Sequence, residues 1–262
     1  MFVCAGSQAV LRGHGMRELS LFSGAGGGLL GTKLLGFKHV GYVEWNEYCQ
    51  RVIAARIRDG YLDNAPIFGD IDTFINQGFA SSYQGMVDVV TGGFPCQPYS
   101  SAGKQLGEND PKDRWPATRE VIRQVRPKFC LLENVPRLIS LGYLGKVLGD
   151  LAEMGFNAEW GVISAAAAGA DHVRERLWIF AYTDSAQCEG RSLSSRVRQE
   201  YAYACRSTWW KDQPAPAGVD DGIPNRMDRL TAGGNGQVPI VAASAWEILS
   251  ERAQHNYAAS QE

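Results

Sequence analysis

Leu19-Ser20-Leu21-Phe22-Ser23-Gly24-Ala25-Gly26-Gly27-Gly28-Leu29-Leu30 is a short apolar strand that enters a glycine-rich turn and then an apolar helix, predicted over Leu29 to Phe37. Strand, glycine turn and helix in that order make the first βα turn of a doubly wound α/β sheet, where ligands dock beside the strand ends. Glycines there let the backbone approach a nucleotide closely. The turn is not a GxGxxG followed by a basic residue. It is not a P-loop either, since no Gly-Lys-Ser/Thr follows. Such turns are common, so the segments that follow decide its meaning.

Val40-Gly41-Tyr42-Val43-Glu44-Trp45-Asn46-Glu47 reads as a second strand ending in an acid, about twenty residues beyond the turn, where a carboxylate accepts from ribose hydroxyls. Trp45 offers a face for an adenine ring. Taken singly, the two would be a surface Glu and a core Trp. Phe68-Gly69-Asp70-Ile71 ends a third strand, and Asp70 offers an acceptor for an adenine amino group. Three strand ends then converge on one adenosine. No phosphate-binding lysine or arginine lies nearby. The expected ligand is therefore a nucleoside without a phosphate tail, which S-adenosylmethionine satisfies.

The apolar run Met86-Val87-Asp88-Val89-Val90 predicts a buried strand that ends at Gly92-Gly93, followed by Phe94-Pro95-Cys96-Gln97-Pro98-Tyr99-Ser100. Pro95 and Pro98 stiffen the chain on either side of the Cys96 sulfur. A stiff loop at a strand end suits a nucleophile; a thiol that only fills core space needs no such mount. Lys128-Phe129-Cys130-Leu131-Leu132-Glu133-Asn134-Val135-Pro136 is again a strand ending in an acid. Val173-Arg174-Glu175-Arg176-Leu177-Trp178-Ile179-Phe180 opens a strand with two arginines spaced to point the same way.

In this order LFSGAGG, EWN, GDI, GGFPCQPYSSAGKQ, LLENV, RERLWI and the late GNGQVP (Gly234 to Pro239) resemble the motifs of the DNA (cytosine-5)-methyltransferases. The likeness covers Glu18 to Tyr182 and then Asn225 to Leu249. It implies a Rossmann-like methyltransferase fold with a doubly wound, mostly parallel sheet. It also implies methyl transfer from S-adenosylmethionine to carbon 5 of a flipped-out cytosine in double-stranded DNA.

Carbon 5 of cytosine is a poor nucleophile, and a thiolate added at C6 turns the ring into an enamine. Cys96 is the implied thiolate. A free thiol has a pKa near ~8.5, so the site must supply positive charge or hydrogen bonds, for which Arg174 and Arg176 are candidates. The resemblance places Glu133 on N3 and the exocyclic amine, and Arg176 on the base carbonyl. Burial raises a carboxyl pKa and a close arginine lowers it, and the sequence leaves that contest open. Asn134 is implied to hold the loop and, with Gln97 and Ser100, to border the substrate. The implied cofactor set is Phe22, Gly24, Gly26, Glu44, Trp45, Asp70, Ile71, Pro95 and Asn235. The polar loop from Ser100 to Gln105 resembles one that closes over an extruded base.

With 262 residues, the chain fits one large domain with a small appendage. No apolar run approaches the ~20 residues of a membrane helix, so a soluble protein without a membrane partner is expected. Cys4, Cys49, Cys96, Cys130, Cys188 and Cys205 have no CxxC and no histidine spacing for zinc, so no metal is expected. Scattered single cysteines suit a reducing cytoplasm. The formal net charge of −2 does not advertise a DNA binder, so the basic face must be local. Arg191, Arg196, Arg198, Arg206 and Lys211, with Trp209 and Trp210, form either a phosphate-contacting region or a polar linker.

Residues 1–16 are expected to be a flexible tail or an overextended start, and 17–182 a catalytic, S-adenosylmethionine-binding domain. A short, irregular target-recognition region is expected over 183–222, and 223–262 to return to the catalytic domain. A monomer is expected, with a cognate restriction endonuclease as a candidate partner. The chain departs from the family pattern at Asp171, Lys112 and Gly233, none of which removes a reacting group. Three other readings stay open: an RNA cytosine-5 methyltransferase, a degenerate DNA-binding relative without catalysis, and a small-molecule methyltransferase on the same fold.

Overall fold

The computed structural model describes residues 15–95, 113–168, 173–184, 228 and 236–259. In chain order the elements are β1 (Arg17–Leu21), α1 (Gly27–Leu34), β2 (Lys38–Val43), α2 (Glu47–Arg58), β3 (Ile67–Phe68), α3 (Ile71–Asn76), α4 (Phe79–Ser82) and β4 (Val89–Gly93). Then come α5 (Trp115–Val125), β5 (Phe129–Asn134), α6 (Arg137–Ser140), α7 (Tyr143–Glu153), β6 (Phe156–Ser164), β7 (Glu175–Thr183) and α8 (Pro239–Ala259). The seven strands form one sheet in the order β3-β2-β1-β4-β5-β7-β6. The pairs among β1 to β5 are parallel, while β5–β7 and β6–β7 are antiparallel. The sheet is thus mixed and mostly parallel, in line with the doubly wound, mostly parallel sheet that the family resemblance implies.

Strand order reverses between β1 and β4, and ligands of such sheets bind outside the carboxyl ends at that switch point. Because β7 runs antiparallel to β5, its first residues lie at the end where the parallel strands finish, and Asn134 of β5 is paired with Leu177 of β7. That is how Arg174 and Arg176 reach the same edge as Glu133.

Apolar side chains cover both faces of the sheet. One core joins Leu19, Leu21, Val90 and Leu132 to Trp115, Ile122, Val147 and Leu151 of α5 and α7. The other joins Val89, Leu131, Trp178 and Phe180 to Phe37 and to Trp246 and Leu249 of α8. Trp246 meets Phe37 and Phe180 edge-on, each at 4.9 Å between ring centroids, the arrangement aromatic quadrupoles favour. Just past β7, Asp184 Oδ1 accepts from Asn157 Nδ2 of the neighbouring β6 at 2.6 Å, a tie at the strand's far end.

Three predicted elements shift. The first helix runs Gly27–Leu34 rather than Leu29 to Phe37: Gly26 (φ 92°) caps its start and Gly36 (φ 79°) lies just past its end, both in the left-handed region. The strand predicted over Met86 to Val90 is Val89–Gly93. Met86 is exposed, and the two glycines sit within the strand because Gly92 passes against Leu21 and Gly93 against Glu133. The last helix, predicted over Ile240 to Leu249, extends from Pro239 to Ala259.

Candidate active site

The turn after β1 is locally strained. Phe22 has φ 51°, a left-handed conformation that costs a residue with a Cβ about 1–2 kcal/mol. Gly24 (φ 56°) continues the same turn at no such cost. The turn is pinned by Glu44, which is 8% exposed. One of its carboxylate oxygens accepts from Gly24 N at 2.6 Å and the other from Asn46 N at 2.7 Å. The plain reading of Glu44 as a surface acid therefore fails. Trp45 is 74% exposed, so the plain reading of a core Trp fails as well.

A cavity of about 290 Å³ opens here, lined by Phe22, Val43, Trp45, Gly69, Asp70, Ile71, Pro95 and Arg114. Asp70 caps α3 through Oδ2, which accepts from Thr73 N at 3.0 Å and from its hydroxyl at 3.1 Å. Oδ1 makes no hydrogen bond among the described residues. An uncovered indole face, a free carboxylate oxygen and an apolar floor in one cavity fit an adenosyl group. Arg114 corrects the expectation that no basic residue stands near: α5 begins beside the cavity, and its separation along the chain hides this in the sequence. Its guanidinium donates to Asp72 Oδ2 at 2.8 Å, so its charge is already met.

A second, narrow space of about 40 Å³ runs from the glycine turn to Gly93, Glu133, Trp178 and Gln237. Arg176 Nε donates to Glu133 Oε1 at 2.8 Å. Glu133 Oε2 faces Gln237 Nε2 at 3.4 Å. The contest left open by the sequence has an outcome: burial raises the Glu133 carboxyl above its ordinary value, outweighing the lowering by Arg176, Gln237 and Arg174. Burial, and then the neighbouring Arg176, pull the Arg174 guanidinium down from its own. Arg174 also donates to Gly236 O at 2.7 Å, a tie from β7 to the chain entering α8.

Asn134 Nδ2 donates to Phe94 O at 2.9 Å, and its Oδ1 accepts from Val135 N at 2.8 Å. The side chain thus fastens the end of β5 to the residue before Pro95. Cys96, Gln97, Ser100 and Asn235 lie outside the described residues, as do Arg191, Arg196, Arg198, Arg206, Lys211, Trp209 and Trp210. Arg114 and Gln237 are the two site residues that sequence reasoning missed. Gln237 stands inside the quoted GNGQVP, yet nothing in its spacing marks it.

The sequence matches a family described as "C-5 cytosine-specific DNA methylase" over residues 16–212. The chain belongs to that family. Among curated C-5 methylases it is 34% identical over 164 residues to the Type II methyltransferase M.NgoMIV of Neisseria gonorrhoeae, across 61% of this chain and 49% of that protein. It is 33% identical over 173 residues to M.NgoBI of the same organism, across 64% and 51%. The chain thus spans about half the length of the curated C-5 methylases it matches. Among solved structures it resembles a DNMT2 of Spodoptera frugiperda with TM-score 0.53 and 22% identity, over 66% of this chain and 51% of that one. At that identity the likeness is one of fold. Among the described residues no group of three or more His, Cys, Asp or Glu is placed to hold a metal, and no helix is long and apolar enough to cross a membrane.

Proposed function

We propose that this C-5 methylase transfers a methyl group from S-adenosylmethionine to carbon 5 of a flipped-out cytosine in double-stranded DNA, through a covalent bond from Cys96 to C6. The observation that carries the reading is Glu133: a buried carboxyl, raised above its ordinary value, 2.8 Å from Arg176 and beside the strand that leads into Pro95 and Cys96. A carboxyl that binds its proton tightly is suited to donate at N3 while negative charge builds on the ring.

The Cys96 thiolate adds to C6, the π pair of the C5–C6 bond shifts to C4–C5, the C4–N3 π pair moves onto N3, and Glu133 donates its proton there, leaving an enamine that is nucleophilic at C5. S-adenosylmethionine, when bound, supplies an electrophilic methyl group to C5. Phe22, Gly24, Gly26, Glu44, Trp45, Asp70, Ile71, Pro95 and Asn235 are the residues we assign to holding it. Arg174 and Arg176 supply the positive charge that favours the thiolate, Arg176 also reaching the base carbonyl. Asn134 keeps the Phe94-Pro95 segment in place, with Gln97 and Ser100 bordering the base. Loss of the C5 proton to solvent and cleavage of the bond to C6 restore Cys96.

The two Neisseria relatives carry the name Type II methyltransferase, so a cognate restriction endonuclease in a reducing cytoplasm is the setting to look for. The decisive experiment incubates the protein with duplex DNA or tRNA, each containing 5-fluorocytosine, and methyl-labelled S-adenosylmethionine. The wild type is expected to stay covalently attached to the duplex, because fluorine cannot leave as a proton does. Trapping on tRNA alone would make it an RNA methyltransferase. Equal behaviour of wild type and Cys96→Ala would end the catalytic reading.

A further inference from the structure

We propose that Gln237 is a positioning residue for Glu133, its side-chain amide holding the Oε2 edge of the carboxyl while Arg176 holds Oε1. The inference rests on the methyltransferase reading above and deepens it.

Separate elements are shaped around this one amide. Gln237 Nε2 lies 3.4 Å from Glu133 Oε2. A Cβ added at Gly28 of α1 would stand 2.1 Å from Gln237 Oε1, and one at Gly93 of β4 would stand 2.9 Å from Nε2. A Cβ at Gly27 would stand 2.1 Å from the Gln237 carbonyl oxygen. The slot therefore exists only because these three positions lack a side chain. From the other side, Arg174 of the β7 approach holds the preceding residue through Gly236 O at 2.7 Å. The side chain is packed between α1, β4 and β5 with its amide end toward Glu133.

The choice of an amide has a chemical reason. An amide carries both donors and an acceptor, whereas a guanidinium only donates. Nε2 donates to the ionised carboxylate; turned over, Oε1 accepts from the protonated carboxyl. Glu133 thus keeps a partner on its second oxygen in either protonation state, inside a buried site where a bare polar atom is costly. Arg176 alone favours the ionised form. In this account Gln237 touches no reacting atom and acts through the orientation of Glu133.

The test uses Gln237→Met, which keeps the length and removes the hydrogen bonds, and Gln237→Glu, which keeps the planar shape and adds an anion. Three quantities are read: kcat and its pH profile, KM for duplex DNA, and affinity for S-adenosylhomocysteine by calorimetry. Gln237→Met should lower kcat about ten- to hundredfold, the worth of a hydrogen bond to a charged group, with the other two quantities within about threefold. The pH limb that reports Glu133 should move upward in Gln237→Met, because a donor to the carboxylate is gone, and further in Gln237→Glu. If either variant binds S-adenosylhomocysteine normally and keeps the wild-type kcat and pH limb, the positioning role is refuted while the methyltransferase reading stands. If Gln237→Met melts early, the Gln237→Glu profile decides. A wild type that binds S-adenosylhomocysteine but moves no methyl to DNA would instead sink the underlying reading.

Discussion

Arg176 Nε sits 2.8 Å from Glu133 Oε1, and the Glu133 carboxyl is nevertheless raised, because burial outweighs the arginine. A group whose native pKa lies above its unfolded value contributes stability that is complete below the unfolded pKa and is lost as pH rises through the native one. Glu133→Gln does not ionise. Its melting temperature should therefore gain on the wild type from about pH 4, the ordinary glutamate range, upward, and the gap should level off once wild-type Glu133 is ionised. Thermal melts of both proteins across pH check this; a gap that closes as pH rises would mean that the ion pair dominates. In the methylation assay Glu133→Gln should lose about 10²–10⁴-fold in kcat.

Phe22 holds a left-handed backbone at φ 51°. Phe22→Ala and Phe22→Gly both remove the ring from the cavity, but only glycine relieves the backbone. Phe22→Gly should be more stable than Phe22→Ala by about 1 kcal/mol, the reverse of the usual order for these residues. Urea denaturation of the pair measures the difference. Both should bind S-adenosylhomocysteine more weakly than the wild type.

Gly31 of α1 faces Pro239: a Cβ there would stand 2.3 Å from the Pro239 carbonyl oxygen. Gly31→Ala should destabilise by about 1–3 kcal/mol through overpacking. Gly149 of α7 has nothing within 4 Å of the same added atom, and Gly149→Ala should stabilise by about 0.4–1 kcal/mol. Denaturation midpoints of the two variants should move in opposite directions.

The described free cysteines are held as thiols. Burial pushes Cys49 up to about 11, assisted by Glu44 and Asp228, and burial raises Cys130 as well. Iodoacetamide at pH 8 should leave both unmodified in the folded protein and label both in urea. Peptide mass spectrometry reads the outcome, and labelling of Cys130 under native conditions at the rate of a free thiol would contradict it.

The first half of the sheet was readable because its signals are local. Helix α2 (Glu47–Arg58) carries such signals: Asn46 caps it by accepting from Cys49 N, Glu47 stands in its first turn, and Arg56 and Arg58 in its last. Glu44 stands directly after β2 and Asp70 two residues after β3, at the strand ends where the sequence places them. The residues not foreseen depend on distant pairings. Gln237 reaches Glu133 across a separation of 104 positions, and Arg114 reaches Asp72 across 42. No periodicity links such pairs. The β6–β7 hairpin, which turns the arginine strand to face the other strand ends, likewise leaves no local mark.

Asn157 of β6 grips Asp184, just past β7, at 2.6 Å, and Arg174, just before β7, grips Gly236 at 2.7 Å. The second tie bears on the carboxyl, because Gln237 follows Gly236 directly and Arg176 lies two residues beyond Arg174. A single backbone oxygen thereby couples the two groups that flank Glu133, so a disturbance on either side is felt on the other.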